Sequence, residues 1–292
     1  MKFTGREAAV FTALTLIWGT TWAAIRVGLD GIPPLAGVGI RFTIAGALLL
    51  AIAWQQGAPL GRTRVERRLW IANAIATFMV PYGVIYWAEQ IVPTGLSAIL
   101  FSTFPLWISI VGRWVLPGER PHAGQWLGVA LGFAGIVVIF SEDFSRLGAP
   151  GIRLRCLALL GAAVVSASCS VSIKRWGGGV SPLSLSAVPM LAAGLATGAL
   201  AAAVERDAAW NLTAGPVLAT LYLAVFGSAV TFTLYFWLLR RSTAISASLV
   251  SYTAPVVAVT VGIVAFGEPL TARLGIGAVL VLAGVAAALR PH

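Results

Sequence analysis

Aromatic side chains that could bind a small solute recur within long apolar stretches of the sequence. Trp18 and Trp22 lie one helical turn apart, and so do Tyr82 and Tyr86. Rings with a polar tip can hold amphipathic molecules through stacking, cation–π contacts and hydrogen bonds. The alternative is a belt of interfacial aromatics, which is favoured where a ring lies within a turn of a span end. Trp18 and Tyr82 lie well inside their stretches and favour a binding cavity, whereas Tyr86 leaves both interpretations open.

Small hydroxyl side chains and their aromatic neighbours form a second set of candidate ligands, spaced one helical turn apart on four other stretches. The pairs are Ser97 with Phe101, Ser166 with Ser170, Thr231 with Tyr235, and Ser248 with Tyr252. Hydroxyl groups can bind a polar solute, but small polar residues also allow close helix packing in membranes. The sequence leaves these two roles open for the second and third pairs.

Two prolines follow the first and last of these pairs. Pro105 and Pro255 each remove a backbone hydrogen bond within an apolar stretch, so that a carbonyl must be satisfied elsewhere. Each proline is either a hinge that opens one side of a cavity or a static kink that helps packing. We prefer the hinge interpretation.

Charged residues within or beside the apolar stretches need separate explanations. Glu89, at the outer end of the third stretch, either binds a cation or exchanges protons, or is simply hydrated at the interface. Arg41, in the second stretch, either holds a substrate carboxylate or extends its long stem to the outer headgroups. Glu119 and Glu268 precede the fifth and tenth stretches, where an acid would complement the dipole of the helix that follows.

The amino-acid composition indicates a protein that is embedded in a lipid bilayer. Of 292 residues, 59% are hydrophobic and 10% are charged, with a mean hydropathy of +0.91. A soluble domain usually carries about 25% charged residues. The net charge of +10 does not indicate a nucleic-acid partner, because the basic residues separate hydrophobic runs instead of lining one face. We therefore predict an all-α integral membrane protein whose partners are the lipid bilayer and a small-molecule substrate.

Hydropathy predicts ten spans, since a span needs about 20 mostly apolar residues. They are 8–27, 35–54, 69–89, 95–114, 122–140, 154–173, 183–204, 215–238, 244–265 and 271–289. If the amino terminus is inside, thirteen Lys and Arg residues lie in inside segments and six lie in outside segments, with Arg41 within a span. The positive-inside rule then predicts a multi-pass protein of a bacterial inner membrane with both termini cytoplasmic.

The two halves of the chain resemble each other. An offset of 150 residues pairs Trp87 with Trp237, Thr103 with Thr253, Pro105 with Pro255 and Gly112 with Gly262. After a slip of one residue, Gly118-Glu119 pairs with Gly267-Glu268, Ala123 with Ala272, Gly128 with Gly277 and Gly135 with Gly284. Five spans in each half place the second half upside down relative to the first. This predicts two inverted five-helix repeats, 1–148 and 149–292, with a substrate site between them.

Several motifs resemble those of the EamA-type drug/metabolite transporters. They are Trp18-Gly19-Thr20-Thr21-Trp22, Arg41-Phe42, the stretch from Ala98 to Leu106, and the two Gly-Glu pairs. The resemblance covers nearly the whole chain in two tandem units. It implies ten spans as two inverted repeats, and export of amino acids, related metabolites or drugs through a central cavity.

Other kinds of chemistry have little support in the sequence. His122 and His292 are the two histidines, and no Walker-type loop, metal-ligand spacing or cluster of acids occurs. We therefore expect no cofactor, no bound metal and no catalysis, and predict a secondary transporter that exports solutes by alternating access. One rival is an intramembrane enzyme for lipid-linked substrates, which would need converging His, Asp or Glu residues. Another is a receptor or scaffold with the same fold; the sequence does not decide between a monomer and a homodimer.

Overall fold

Ten helical segments make up the part of the chain that the structure covers. The computed structural model describes residues 3–119, 121–139, 141, 151–266 and 271–289. The helices are α1 (Gly5–Leu29), α2 (Pro34–Gln55), α3 (Arg64–Ala88), α4 (Thr94–Val115), α5 (Ala123–Ile139), α6 (Ile152–Trp176), α7 (Pro182–Val204), α8 (Ala214–Arg241), α9 (Ala244–Ser248 and Val250–Phe266) and α10 (Ala272–Ala288). Seven of them are long and apolar enough to cross a membrane, and α5, α9 and α10 contain shorter apolar helices. All ten predicted spans are confirmed as helices.

Local sequence signals set several helix ends. At the start of α1, Thr4 and Glu7 form a capping box, in which the backbone N–H of Thr4 donates to the Glu7 carboxylate at 2.8 Å. Pro34 occupies the first turn of α2, where a missing N–H costs little. At the start of α7, the Ser181 hydroxyl accepts the N–H of Ser184 at 3.0 Å. These signals place short connectors between long apolar helices.

Four helices are irregular, and they form equivalent pairs in the two halves. A π-helical stretch interrupts α3 at Ala74–Met79 and α8 at Val225–Val230. The α4 helix breaks between Phe101 and Phe104, and α9 breaks at Leu249. Pro105 and Pro255, the predicted hinges, both lie in the second parts of these broken helices. Irregular helix turns often mark functional positions in helical proteins.

The main helix contacts between the halves have equivalent contacts in which the two halves change places. The α1 helix packs on α8 and α9, and its counterpart α6 packs on α3 and α4. The α2 helix packs on its own counterpart α7, and α5 packs on α10. Such an exchange is what a twofold relation between two copies of one unit requires.

The second half is inverted relative to the first. Arg26, in the last turn of α1, donates to the carbonyl oxygen of Glu89 at 3.0 Å. Arg155, in the first turn of α6, donates to the carbonyl oxygen of Trp87 at 2.6 Å. Since α1 ends and α6 begins beside the same end of α3, the equivalent helices run in opposite directions. The chain is therefore an all-α membrane protein of two inverted five-helix repeats, as predicted.

We name the two ends of the molecule after an acidic residue that lies at each end. At the Glu205 end, the carboxylate of Glu205 after α7 accepts the backbone N–H groups of Leu35 and Ala36 in α2 at 2.8 and 2.9 Å. At the Glu119 end, the carboxylate of Glu119 lies between the ends of α6 and α9. Which end faces the cytoplasm remains a prediction from the charge count. The predicted repeat boundary between 148 and 149 and the predicted role of Glu268 lie outside the described residues.

Glycines identified from the repeat allow close packing of α5 on α10. A Cβ at Gly128 of α5 would lie 2.5 Å from the carbonyl oxygen of Gly284 in α10, and one at Gly135 would lie 2.7 Å from that of Gly277. Small residues let helix backbones approach closely in a membrane. The matched glycines of the two halves therefore bring the equivalent helices α5 and α10 into direct contact.

Candidate functional site

A cavity of about 100 Å³ lies between the two halves. Its lining comes from α1, α3 and α4 of the first half and from α6, α8 and α9 of the second, which are the equivalent helices. The cavity therefore lies at the centre of the twofold arrangement. Eight of the residues predicted to bind a solute line it: Trp18, Trp22, Tyr82, Phe101, Ser166, Ser170, Tyr235 and Ser248.

Aromatic rings from both halves form one continuous wall of this cavity. The ring of Trp18 lies 5.5 Å from that of Phe232 and 5.6 Å from that of Tyr235, measured between centroids. Tyr82 lies 6.0 Å from Phe232, in an edge-to-face arrangement. These distances lie in the range in which aromatic pairs attract one another. The wall is therefore rigid and largely apolar.

Hydroxyl groups also line the cavity. Ser166 and Ser170 of α6 occupy the positions equivalent to Trp18 and Trp22 of α1, and all four line the cavity. The hydroxyl of Tyr235 donates to the Oγ of Ser170 at 3.4 Å, a long and weak bond. At these equivalent positions, the first half thus contributes large rings and the second half contributes small hydroxyls.

Two polar atoms of the lining are buried without a hydrogen-bond partner. They are the Nε1 of Trp18 and the Oγ1 of Thr77. An unsatisfied buried donor or acceptor costs about 1–3 kcal/mol. A polar group of a solute, or a water molecule, would remove that cost at both positions.

Four predicted binding residues are not part of the cavity lining. Tyr86 is buried against α2, where its hydroxyl accepts from Arg41 at 3.5 Å. The Oγ of Ser97 and the Oγ1 of Thr231 are buried and have no hydrogen-bond partner. Tyr252 donates to the carbonyl oxygen of Val129 at 3.1 Å and packs between α9 and α5.

Arg41 is buried in the interior and does not extend to the headgroups. It is 1% exposed, and its Nε donates to the Oγ of Ser228 at 2.7 Å. Its Nη2 donates to the carbonyl oxygen of Gly227 at 2.9 Å, within the π-helical stretch of α8. The guanidinium also lies 4.6 Å from the ring centroid of Tyr82. Arg41 therefore lies behind the wall residue Tyr82 and joins α2, α3 and α8.

Glu89 is fully buried at the end of α3, so the alternative of a hydrated interfacial acid does not fit its position. It is 0% exposed, and neither carboxylate oxygen has a hydrogen-bond partner. The nearby guanidinium of Arg26 donates to the main-chain carbonyl of Glu89 instead of its side chain. An isolated buried carboxylate is a costly arrangement in a membrane protein.

Glu119 binds other elements than the helix that follows it, in contrast to the sequence prediction. Its Oε2 accepts the N–H of Ala244 at the start of α9 at 2.7 Å, and its Oε1 lies 3.1 Å from the Nζ of Lys174 at the end of α6. Lys174 also donates to the carbonyl oxygens of Leu239 and Ser242 at 2.9 and 2.7 Å. The negative charge of Glu119 interacts favourably with the N-terminal dipole of α9. Together with Lys174, it links the start of α9 to the ends of α6 and α8.

Several lining residues were missed by the sequence analysis. They are Thr21, Ile25, Thr77, Ile85, Ser102, Phe232, Ser251 and Ala254. Ser251 follows Ser248 by three residues, so helical spacing could have identified it. Thr77 lies within the π-helical stretch, five residues before Tyr82, and lines the same cavity, which a regular helical pattern does not predict.

A metal centre finds no support in this site. Among the described residues, no group of three or more His, Cys, Asp or Glu side chains is placed to hold a metal ion. The lining combines aromatic rings, hydroxyls and aliphatic side chains. Such a lining suits reversible binding of an amphipathic organic molecule.

Comparisons with known proteins agree on one family. The model of the EamA-like transporter family matches residues 7–141 and again residues 153–290. The protein PagO of Salmonella typhimurium is 30% identical over 251 residues, which cover 86% of this chain and 82% of PagO. YedA of Escherichia coli, named as an inner membrane transporter, is 31% identical over 263 residues, which cover 89% of this chain and 82% of YedA.

A more distant relative matches over nearly its whole length, and one solved structure has the same fold. The transporter YoaV of Bacillus subtilis is 24% identical over 273 residues, which cover 94% of this chain and 93% of YoaV. One crystal structure with 23% sequence identity superposes with a TM-score of 0.82 and covers 98% of this chain and 97% of that chain. The structural similarity shows that the fold is shared.

Proposed function

The chain belongs to the EamA-like transporter family, and on that premise we propose that it carries small amphipathic organic solutes across a bacterial inner membrane by alternating access. Export is the proposed direction, and amino acids, related metabolites or drugs are the proposed substrates. Both termini face the cytoplasm in this proposal, so that the Glu119 end is cytoplasmic.

The observation that carries the proposal is the central cavity between equivalent helices of the inverted repeats. Two inverted copies of one unit can exchange conformations, so that a site between them opens to one side and then to the other. The aromatic wall would hold the apolar part of a solute by stacking. The unpartnered Trp18 Nε1 and Thr77 Oγ1 would bind its polar groups.

Equivalent contacts lie at the two ends of the molecule, which supports alternating opening. At the Glu205 end, Arg26 binds the carbonyl of Glu89 at the end of α3. At the Glu119 end, Lys174 binds the carbonyl of Leu239 at the end of α8. Arg26 and Lys174 are equivalent in the two halves, as Trp18 and Ser166 are. In the proposed cycle one contact breaks while the other persists, and the helices rock about Pro105 and Pro255.

Flux into liposomes tests the proposal. Purified protein would be reconstituted and assayed by counterflow with labelled aliphatic and aromatic amino acids, nucleobases and cationic drugs. We expect at least one class to exchange faster than in protein-free liposomes. If no class does so with protein that is folded by thermal-shift criteria, the transport proposal is wrong.

Matched variants connect that flux to the cavity. Trp18→Phe keeps a ring and removes the unpartnered donor, and Ser170→Ala removes a hydroxyl of the lining. Loss of one neutral hydrogen bond to the solute, worth about 0.5–1.5 kcal/mol, would weaken its binding by about two- to tenfold. Ser168→Ala is the control, because the Ser168 hydroxyl donates to the carbonyl of Val164 in its own helix at 2.9 Å. Equal effects of the two serine variants would argue against this site.

A further inference from the structure

Glu89 is the buried ionisable group that the proposed solute site leaves unexplained. We propose that Glu89 is a proton-binding site, protonated while the Glu205 end is closed and deprotonated when that end opens, and that it couples solute movement to a proton gradient. This inference rests on the proposed transport function for its second half, since a coupled solute must exist. The proton site itself can be tested without a solute.

The first argument is the surroundings of the carboxyl group. Among the described acids, Glu89 alone is buried with neither oxygen hydrogen-bonded. The carboxylates of Glu7, Glu66 and Glu205 each accept at least one backbone N–H. A carboxylate is strongly disfavoured in a low-dielectric interior unless donors or a paired cation replace its water. A protonated carboxyl group removes the charge, so the closed arrangement favours the acid form.

Charges on the neighbouring helices do not replace the missing donors. On α1, Arg26 donates to the main-chain carbonyl of Glu89, and neither carboxylate oxygen of Glu89 has a hydrogen-bond partner among the described residues. Asp30, which caps the end of α1, is exposed. On α6, Arg155 donates to the carbonyl of Trp87 and stacks on its ring at 4.6 Å.

The remaining titratable neighbours belong to the group around Arg41. Tyr86 lies one turn before Glu89 on α3 and accepts from Arg41 of α2 at 3.5 Å. The positive charge of Arg41 is bound by Ser228 and Gly227 of α8. The arginines of the neighbouring helices therefore already have other partners.

The second argument is the position of Glu89 relative to the cavity. Ile85 lines the cavity, and Glu89 lies one helical turn beyond it toward the Glu205 end. Trp22 also lines the cavity, and Arg26 lies one turn beyond it in the same direction. Glu89 and Arg26 thus form the layer that separates the cavity from the Glu205 end. Any opening there must admit water to this layer.

The proton balance follows from this geometry. When the layer opens, the O–H bond of the Glu89 carboxyl breaks, its electron pair stays on the carboxylate, and the proton passes to water at the Glu205 end. After the layer has closed, the carboxylate takes up one proton from water that enters the cavity from the Glu119 end, so that each cycle moves one proton across the membrane. Low pH therefore favours closure of this end and high pH favours its opening, because the open form binds one proton fewer.

Infrared difference spectroscopy tests the proton site directly. Protein in lipid would be titrated with alkali while the C=O stretching band of protonated carboxyl groups is followed. We expect one band in the wild type that is lost at high pH and is absent from Glu89→Gln. Glu205→Gln is the control, because the Glu205 carboxylate at the same end already accepts two N–H groups. A wild-type spectrum identical to that of Glu89→Gln would overturn the proposal.

Transport measurements test the coupling. With the solute that gives the fastest counterflow, a gradient of one pH unit should produce about a tenfold accumulation ratio for one proton per solute. Glu89→Gln should lose this accumulation and keep counterflow, whereas Glu205→Gln should keep both. Equal accumulation by Glu89→Gln and the wild type would overturn the coupling. Absence of counterflow for every solute would instead refute the transport function, while the spectrum would still decide the proton site.

Discussion

The Glu119–Lys174 pair is predicted to hold the Glu119 end closed. The carboxylate of Glu119, in the connector after α4, binds Lys174 at the end of α6 and the N–H of Ala244 at the start of α9. Lys174 also donates to the carbonyls of Leu239 and Ser242, at the end of α8. The α6, α8 and α9 helices all line the cavity. Replacement by glutamine, Glu119→Gln, keeps an acceptor for the N–H of Ala244 but removes the charge that attracts Lys174. We therefore expect this end to open more often.

The size of the effect follows from the exposure of the pair. The two side chains are 16% and 21% exposed, between a surface pair worth up to about 1 kcal/mol and a buried pair whose disruption costs about 3–5 kcal/mol. Lys174 retains its two carbonyl acceptors in the variant, so its ammonium is not left unpaired. We therefore expect a loss near 1 kcal/mol, which changes the ratio of open to closed molecules by about fivefold.

Cysteine accessibility measures this change. Ser248 lies one turn after Ala244, lines the cavity and is 1% exposed. In a background with Cys156→Ala and Cys169→Ala, the thiol of Ser248→Cys should react with a water-soluble maleimide about five times faster when Glu119→Gln is added. The reaction would be followed in lipid nanodiscs at constant pH.

The control is an acid at the same end with a purely local contact. Glu7→Gln alters a carboxylate that accepts the N–H of Thr4 in its own capping box, and it should leave the reaction rate unchanged. An unchanged rate in Glu119→Gln, together with a lower melting temperature, would refute the reasoning. The pair would then stabilise the fold without controlling access.

Two further predictions concern packing and the buried arginine. Gly132→Ala should destabilise the protein by about 1–3 kcal/mol, because its Cβ would lie 2.5 Å from the ring of Tyr252, whereas Gly161→Ala, with no atom within 4 Å, should be neutral or slightly stabilising in the same thermal-unfolding assay. Equal melting temperatures of the two variants would contradict the close packing of α5 and α9. Arg41→Lys should lose at least one hydrogen bond of a charged donor, worth about 1.5–3 kcal/mol, because an ammonium group cannot reproduce the forked contact with Ser228 and Gly227. An unchanged melting temperature for Arg41→Lys would show that this contact contributes little to stability.

The architecture could be predicted from the sequence because it depends on simple periodic signals. Long apolar runs determine the number of spans, and the matched glycines reveal the repeat. The structure shows a physical reason for that match, since Gly128 packs on Gly284 and Gly135 packs on Gly277. An odd number of spans in each half then requires inversion.

The contacts of individual polar side chains were less predictable. A regular helical pattern fails across the π-helical stretch of α3, so it could not place Thr77 on the face of Tyr82. The partners of Arg41 lie on α8, 186 and 187 residues later in the chain. Glu119 similarly binds Ala244 and not its own following helix. Such contacts depend on how distant helices are arranged, which local sequence does not encode.

The exchange of helix partners between the halves has a consequence for biosynthesis. The hydroxyls of Thr15 and Thr253 form a hydrogen bond across a separation of 238 residues, and Thr20 bonds Tyr222 across 202 residues. The first span therefore enters the membrane long before the ribosome has made its neighbours. Until then Thr20 and Thr21 can donate to the carbonyls of Ile17 and Trp18 in their own helix. Their hydroxyl groups therefore have hydrogen-bond acceptors even when the first span is surrounded by lipid. Assembly of the protein's centre must wait until α9 has been synthesised.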